Sequence, residues 1–246
     1  ENDGGLGAGV GDSLRECLGE LASANSVNIG FDAALTNTTL VRGSGTFIVD
    51  DDEVADIDGF EMGISLEKTS GGSVFSAQDD SSLSLTGLTI SGLWAMVGST
   101  HEAALSLNRC VLTGLGKSVG SQAIAQSAML LRNCQITGNE VSISLLSAEE
   151  EAQLTVDNCA IYDNAGTLAS TSLIDTTDCS RLILKKTTVA RNAFQKLTSM
   201  GSQSYGQIHH CTFTRNGGPF SLTNTPRLRF ANALFVNNVG TSVFRG

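Results

Sequence analysis

Apolar residues recur along this chain at fixed offsets, and the offsets repeat. Seven segments align: LSLTGLTISGL (83–93), LSLNRCVLTGL (105–115), LLRNCQITGN (130–139), LTVDNCAIYDN (154–164), LILKKTTVARN (182–192), IHHCTFTRN (208–216) and LRFANALFVNN (228–238). With Leu88, Cys110, Cys134, Cys159, Thr187, Cys211 and Ala233 as anchors, the spacings are 22, 24, 25, 28, 24 and 22 residues. Two places after the anchors stand Ile90, Leu112, Ile136, Ile161, Val189, Phe213 and Phe235. Three places before stand Leu85, Leu107, Leu131, Val156, Leu184, Ile208 and Phe230. Five places before, the column is again apolar, with Gly206 the one exception.

Offsets of minus five and minus three share parity, as do zero and plus two. Each pair therefore fits the period of two that puts side chains on one face of a strand. The odd step between minus three and zero demands a corner, where Gly87, Asn133, Asn158 and Asn232 sit. A third apolar run follows in the return, as in Val141-Ser-Ile143-Ser-Leu145 and Phe220-Ser-Leu222. Three strands per coil, stacked about 4.8 Å apart, predict an all-β parallel β-helix. Its expected hand is right, following the preference of parallel crossovers.

Five places after the anchors lie Asn139, Asn164, Asn192, Asn216 and Asn238, which predicts an internal asparagine ladder. Upstream, Ile57, Phe60 and Met62 fit an earlier coil at minus three, zero and plus two. Val27-Asn-Ile29-Gly-Phe31 and Phe47-Ile-Val49 read as strands of the first coils. The expected organisation is a single domain over 1–246, with coils from about residue 25. Ser13-Leu-Arg-Glu16 fits a capping box, and Leu14, Cys17, Leu18 and Leu21 share one face of a predicted capping helix over 13–23. The segment Thr241–Gly246 reads as a strand inside a coil, so more coils or a packing partner are expected beyond it.

The pattern L-x-L-x-N-C-x-I-x-x-N resembles the right-handed parallel β-helix repeats of the pectate-lyase-like superfamily over about 55–246. The stretch SLRECLGELASANSVNIGFD is similar to the opening of many secreted or surface β-helix proteins. Phe213-Thr-Arg-Asn216 and Phe235-Val-Asn-Asn238 resemble the F-x-x-N repeats of chlamydial polymorphic outer-membrane passengers. These resemblances imply an extracellular or cell-surface location.

Composition narrows the partners. A net charge of −10, from 15 Lys+Arg and 25 Asp+Glu, argues against nucleic acid. The absence of any run of 18 apolar residues argues against membrane insertion. The opening ENDGGLGAGVG lacks a signal-peptide pattern, so a mature chain is expected. Six cysteines, at 17, 110, 134, 159, 179 and 211, show no C-x-x-C spacing. Cys110, Cys134, Cys159 and Cys211 share the anchor column. Parallel side-chain vectors suit a disulfide torsion poorly, so free buried thiols are the expectation, with crosslinking the alternative.

Candidate chemistry is sparse. The resemblance implies either a lyase, with a basic residue and Ca2+ acting at a uronate, or a hydrolase with paired carboxylates. Asp50-Asp51-Asp52, Asp56, Asp58 and Asp79-Asp80 are the acidic runs that Ca2+ would use. Arg181, Lys185, Lys186 and Arg191 fall within one coil, whereas the adjacent His209 and His210 face opposite sides if both lie in a strand. Trp94, Tyr162 and Tyr205 are too few for an aromatic sugar platform. No catalytic pattern of the pectin-degrading hydrolases can be placed, so no catalytic residue, resident metal or cofactor is assigned. The expected function is a non-catalytic adhesin-like surface or rigid stalk with a carbohydrate or protein ligand; the alternative is a lyase or epimerase of acidic polysaccharide. The segment Ser147–Glu151 and the 28-residue coil are the first candidate binding loops.

Overall fold

The computed structural model describes Leu14, Leu18 and residues 25–43, 45–70, 72–92, 97–224, 226–239 and 244–245. Within them the chain winds through nine coils, each adding one strand to each of three sheets. The first sheet comprises Ser26–Gly30, Val54–Asp58, Ser82–Thr86, Ala104–Asn108, Ala128–Arg132, Gln153–Asp157, Arg181–Lys185, Tyr205–His209 and Arg227–Ala231, in that order. The second runs from Thr39–Arg42 to Leu234–Val236. The third runs from Phe47–Val49 to Phe244–Arg245, with the short Ala165–Gly166 strand paired to Glu140–Ala148. Neighbouring strands are parallel and in the register that the columns require: Leu83 lies beside Leu105, Leu105 beside Met129, and Met129 beside Leu154.

The inward columns make the core. Leu85, Leu107, Leu131, Val156, Leu184 and Ile208 are buried, as are Ile90, Leu112, Ile136, Ile161, Val189 and Phe213. Toward the last coils aromatic rings replace aliphatic side chains, with Phe213 stacked on Phe235 at 5.0 Å between centroids and Phe220 edge-on to Phe230 at 5.5 Å. Such offset and edge geometries are the favourable ones for ring pairs.

The first corner is tight because one residue per coil takes the left-handed conformation. Gly87, Arg109, Asn133, Asn158, Lys186, His210 and Asn232 all have φ between +53° and +66° apart from Lys186, at +48°. Glycine and asparagine tolerate these angles at little cost, so the sequence marks some of these corners and not others.

Two expectations need correction. In the second coil the anchor is Ile64, not Phe60: Ser65 pairs with Thr89, and Ile64 and Leu66 are buried. Extra residues after Gly59 push Phe60 to the surface at 40% exposure, where the Arg109 guanidinium lies 4.4 Å above its ring. The predicted capping helix over 13–23 lies almost wholly outside the described residues, of which Leu14 and Leu18 are buried against the core. Among the described residues the only helical segment with defined bounds is the 3-10 turn Ala33–Leu35, closed by Asp32 accepting from the Ala34 amide at 2.8 Å. Trp94, Cys17 and Thr241–Val243 also lie outside the described residues; Phe244 pairs with Phe220, as a strand of the third sheet. Among the described residues no helix is long and apolar enough to cross a membrane.

Candidate functional site

The chain passes from the third sheet back to the first through two-residue turns stacked coil upon coil. Their central residues are Asp51-Asp52, Asp79-Asp80, His101-Glu102, Ala125-Gln126, Glu150-Glu151, Asp178-Cys179 and Ser202-Gln203, all with positive φ. Each turn closes on an i to i+3 bond, as from the Ala103 amide to Thr100 O at 3.2 Å. Two successive positive φ values with that bond are the arrangement of a type I′ turn, which normally selects Asn or Gly. Here the stacking compensates for the strain. The second central amide of each turn donates to the first central carbonyl of the next, from Asp52 to Asp79 O at 3.2 Å through to Gln203 to Asn224 O at 3.1 Å. Serines just after the turns tie them to the previous coil: Ser81, Ser127 and Ser180 donate from Oγ to Val49 O, Ser99 O and Ala148 O at 2.8 to 2.9 Å.

From Asp79-Asp80 onward these turns line an open groove of about 1130 Å³. Its walls carry the carboxylates of Asp79, Asp80, Glu102, Glu150, Glu151 and Asp178, the His101 imidazole, the Cys179 thiol, and the amides of Gln126, Gln203 and Asn224; among the described residues no lysine or arginine lines it. His101 Nδ1 stands 3.3 Å from Asp79 Oδ1. Gln126 Nε2 donates to Glu151 at 3.0 Å. At the upper end, ligand oxygens of Asp50, Asp51 and Asp79 lie within 4.8 Å of one another. Desolvation and the neighbouring Asp50 hold the Asp79 carboxyl above the usual carboxylate range, while His101 pulls it down. Three carboxylates from two turns are oxygen donors of the kind Ca2+ takes, though they supply only part of its six to eight ligands.

The acidic runs singled out in the sequence therefore divide. Asp50, Asp51, Asp79 and Asp80 meet in adjacent third-corner turns, whereas Asp56 and Asp58 point outward from the first sheet. Glu150 and Glu151, from the acidic segment, join the groove; Glu149 is instead occupied by Ser147 Oγ at 2.7 Å and Gln122 Nε2 at 3.1 Å. The basic residues of the seventh coil do not assemble. Arg181 and Lys185 lie on the outer face of the first sheet, Lys186 in the first corner, and Arg191 in the second corner, where its Nε and Nη2 donate to the two carboxylate oxygens of Asp163 at 2.7 Å. His209 ends a strand and His210 forms the corner after it. The groove itself was missed by sequence reasoning, although its turns fall nine and eight residues before each anchor from Leu88 onward, a constant spacing.

Inside the barrel the asparagines form the expected ladder. Asn139, Asn164, Asn192 and Asn216 each donate from Nδ2 to Oδ1 of the next, at 2.8 to 3.0 Å, ending on Asn238. The second Nδ2 hydrogen of each goes to a carbonyl of the coil before, as from Asn192 to Ile161 O at 2.9 Å. Cys110, Cys134, Cys159 and Cys211 are buried and free, and the Cys134 amide donates to Cys159 Sγ at 3.4 Å. The Cys110 thiol pushes Cys134 up to about 12, and Cys134 in turn pushes Cys159 higher. These columns are structural; they hold the groove and the sheet faces at fixed spacing.

Three parallel sheets, a buried asparagine ladder and stacked corner turns define a parallel β-solenoid. The sequence agrees: a family described as "Right handed beta helix region" matches residues 40–245, and the chain belongs to that family. No curated protein matches the sequence. Among solved structures, the A-module of the mannuronan C-5 epimerase AlgE6 of Azotobacter vinelandii is similar at 12% identity, with a TM-score of 0.31 and 97% of each chain covered. Tailspike protein 3 of bacteriophage CBA120 is similar at 9% identity, with a TM-score of 0.30, over 97% of this chain and 57% of the tailspike.

Proposed function

We propose that this protein is a non-catalytic, secreted or surface-displayed β-helix that binds a basic segment of an extracellular protein partner along its third-corner groove. The observation that carries this reading is the alignment of six carboxylates in one groove that, among the described residues, no lysine or arginine lines. Carboxylates from four coils, interrupted only by the Ala125-Gln126 turn, reinforce one another's potential and raise the local concentration of cations. They repel uronate polymers for the same reason. The hydrogen-bonded turn stack holds them without further ordering on binding, which keeps the entropic cost of association low.

Titration calorimetry with an oligo-lysine peptide tests this. Glu150→Gln with Glu151→Gln removes two groove charges from exposed turn positions, and is expected to weaken binding about tenfold and flatten its salt dependence. Equal affinity for wild type and variant would reject the groove as the binding surface.

A further inference from the structure

The charge of this chain is segregated along the solenoid. All 25 Asp and Glu lie at or before Asp178, while nine of the 15 Lys and Arg lie from Arg181 onward. The overall charge of −10 thus conceals a basic end, comprising coils seven to nine, on an acidic body. The outer face of the first sheet, a surface separate from the corner groove, shows this polarity most directly.

At one end of that face Asp56 and Asp58 line a shallow hollow of about 380 Å³ with Asn28, Ser84 and Thr86. At the other end Arg181, Lys185, Arg227 and Arg229 are exposed. Tyr205 lies between two guanidinium groups, with Arg181 at 5.7 Å and Arg229 at 5.8 Å from its ring, and Gln207 Nε2 donates to its hydroxyl at 2.6 Å. Between the ends the outward positions are small in the third and fourth coils: Ser82, Ser84 and Thr86, then Ala104, Ser106 and Asn108.

A uniformly anionic polymer lying along this face meets Asp56 and Asp58, and a cationic one meets the arginines. A partner that satisfies both ends has the opposite polarity along the same length, and the face itself, turned end over end, has it. We infer that this face pairs with the same face of a second copy about a two-fold axis parallel to the strands, bringing Arg229 of each copy against Asp56 of the other.

In that register the second coil faces the ninth. The small third-coil residues face Tyr205, Gln207 and His209, and the small fourth-coil residues face Arg181, Ile183 and Lys185. In the fifth and sixth coils Arg132 faces Asp157. Bulky side chains oppose small ones and no like charges oppose each other, which is the self-complementarity an isologous contact requires. Eight coils at about 4.8 Å and strands of five residues give roughly 550 Å² per copy, below the ~800 Å² of a standard interface. The dimer is therefore weak and held by charge, so it dissociates as salt rises.

Sedimentation velocity of the full chain at about 0.05 M and about 1 M salt tests this. A concentration-dependent dimer is expected at low salt, weakened at least about tenfold at high salt. Asp56→Arg and Arg229→Glu should each shift the protein to monomer, and the double variant should restore the dimer, because the exchanged charges meet again across the two-fold. Circular dichroism checks that these exposed substitutions leave the fold intact. A wild type that stays monomeric at low salt overturns the inference, as does a double variant no more dimeric than the singles, or a dimer that both single variants leave unchanged. A monomeric wild type that binds polygalacturonate, and loses it with Arg229→Glu, would assign the basic end to an anionic polymer instead.

Discussion

Asn164 donates from Nδ2 to Oδ1 of Asn192 one coil further on, at 2.9 Å, while its own Oδ1 accepts from Asn139 at 2.8 Å. Both residues are buried. Each internal asparagine therefore satisfies its neighbours as well as itself, and the chain of amides is continuous through five coils. A fully satisfied buried network specifies one register, because a slip of one residue in any coil would break its amide's bonds to both neighbouring rungs.

Removing one rung tests that network. Asn192→Ala deprives the Asn164 amide and side chain of their acceptor and removes the Nδ2 donor to Ile161 O and Asn216 Oδ1, the latter keeping only the Asn192 backbone amide at 3.1 Å. Unsatisfied buried groups cost about 1–3 kcal/mol each, with partial relief from relaxation, so a loss of about 2–4 kcal/mol is expected in urea unfolding. The same change at the half-buried terminal Asn238 should cost less, since water can replace the lost partner.

Asp175 sets a pH dependence of the opposite sense from a salt-bridged carboxylate. It lies on the third sheet between Ser147 and Ser199, and its Oδ1 is buried without a hydrogen-bond partner among the described residues. Burial raises its pKa in the fold above 3.8, outweighing the Ser199 hydrogen bond that lowers it; the charge of Glu149 adds to the rise and Lys196 opposes it. The unfolded chain then ionises first. The stability associated with the protonated group is complete below pH 3.8 and is lost as pH rises through the folded value. Asp175→Asn should raise the melting temperature at neutral pH, and the gain should vanish when both proteins are melted near or below pH 3.8.

Thiol reactivity should separate the cysteines by position in the coil. The thiolate is the nucleophile: in the stacked column burial raises Cys211 and the Cys110 thiol pushes Cys134 up to about 12, whereas the hydrogen bond with Cys134 lowers Cys110. Cys179 is exposed in the groove wall. Brief iodoacetamide treatment of the native protein near neutral pH should alkylate Cys179 and spare Cys134, Cys159 and Cys211 until denaturant is added. Peptide mass spectrometry reads the sites; native labelling of Cys134 equal to that of Cys179 would contradict the packed column.

The sequence by itself determined the coil. Apolar side chains at minus three and plus two are buried coil after coil through Phe213, and asparagine at plus five joins them from Asn139 onward, so burial repeats the same residue types and leaves a visible period. It also marked the first corner wherever Gly87, Asn133, Asn158 or Asn232 occupies the left-handed position, but not where Arg109 or Lys186 does. The second-coil anchor was misassigned because Phe60 looks like core, and only the packing of Ile64 beneath Leu88's coil decides otherwise.

The tertiary structure alone decided the rest. The third-corner turns keep a constant spacing, yet Asp, His, Ala, Glu and Ser all fill the same left-handed position, because the ladder of backbone bonds between coils compensates for the strain that side-chain type would otherwise signal. Likewise Asp56 and Arg229 are far apart in the chain and unremarkable alone. They become two ends of one flat face only when the coils are stacked, since outward positions carry no burial constraint and so leave no period in the sequence.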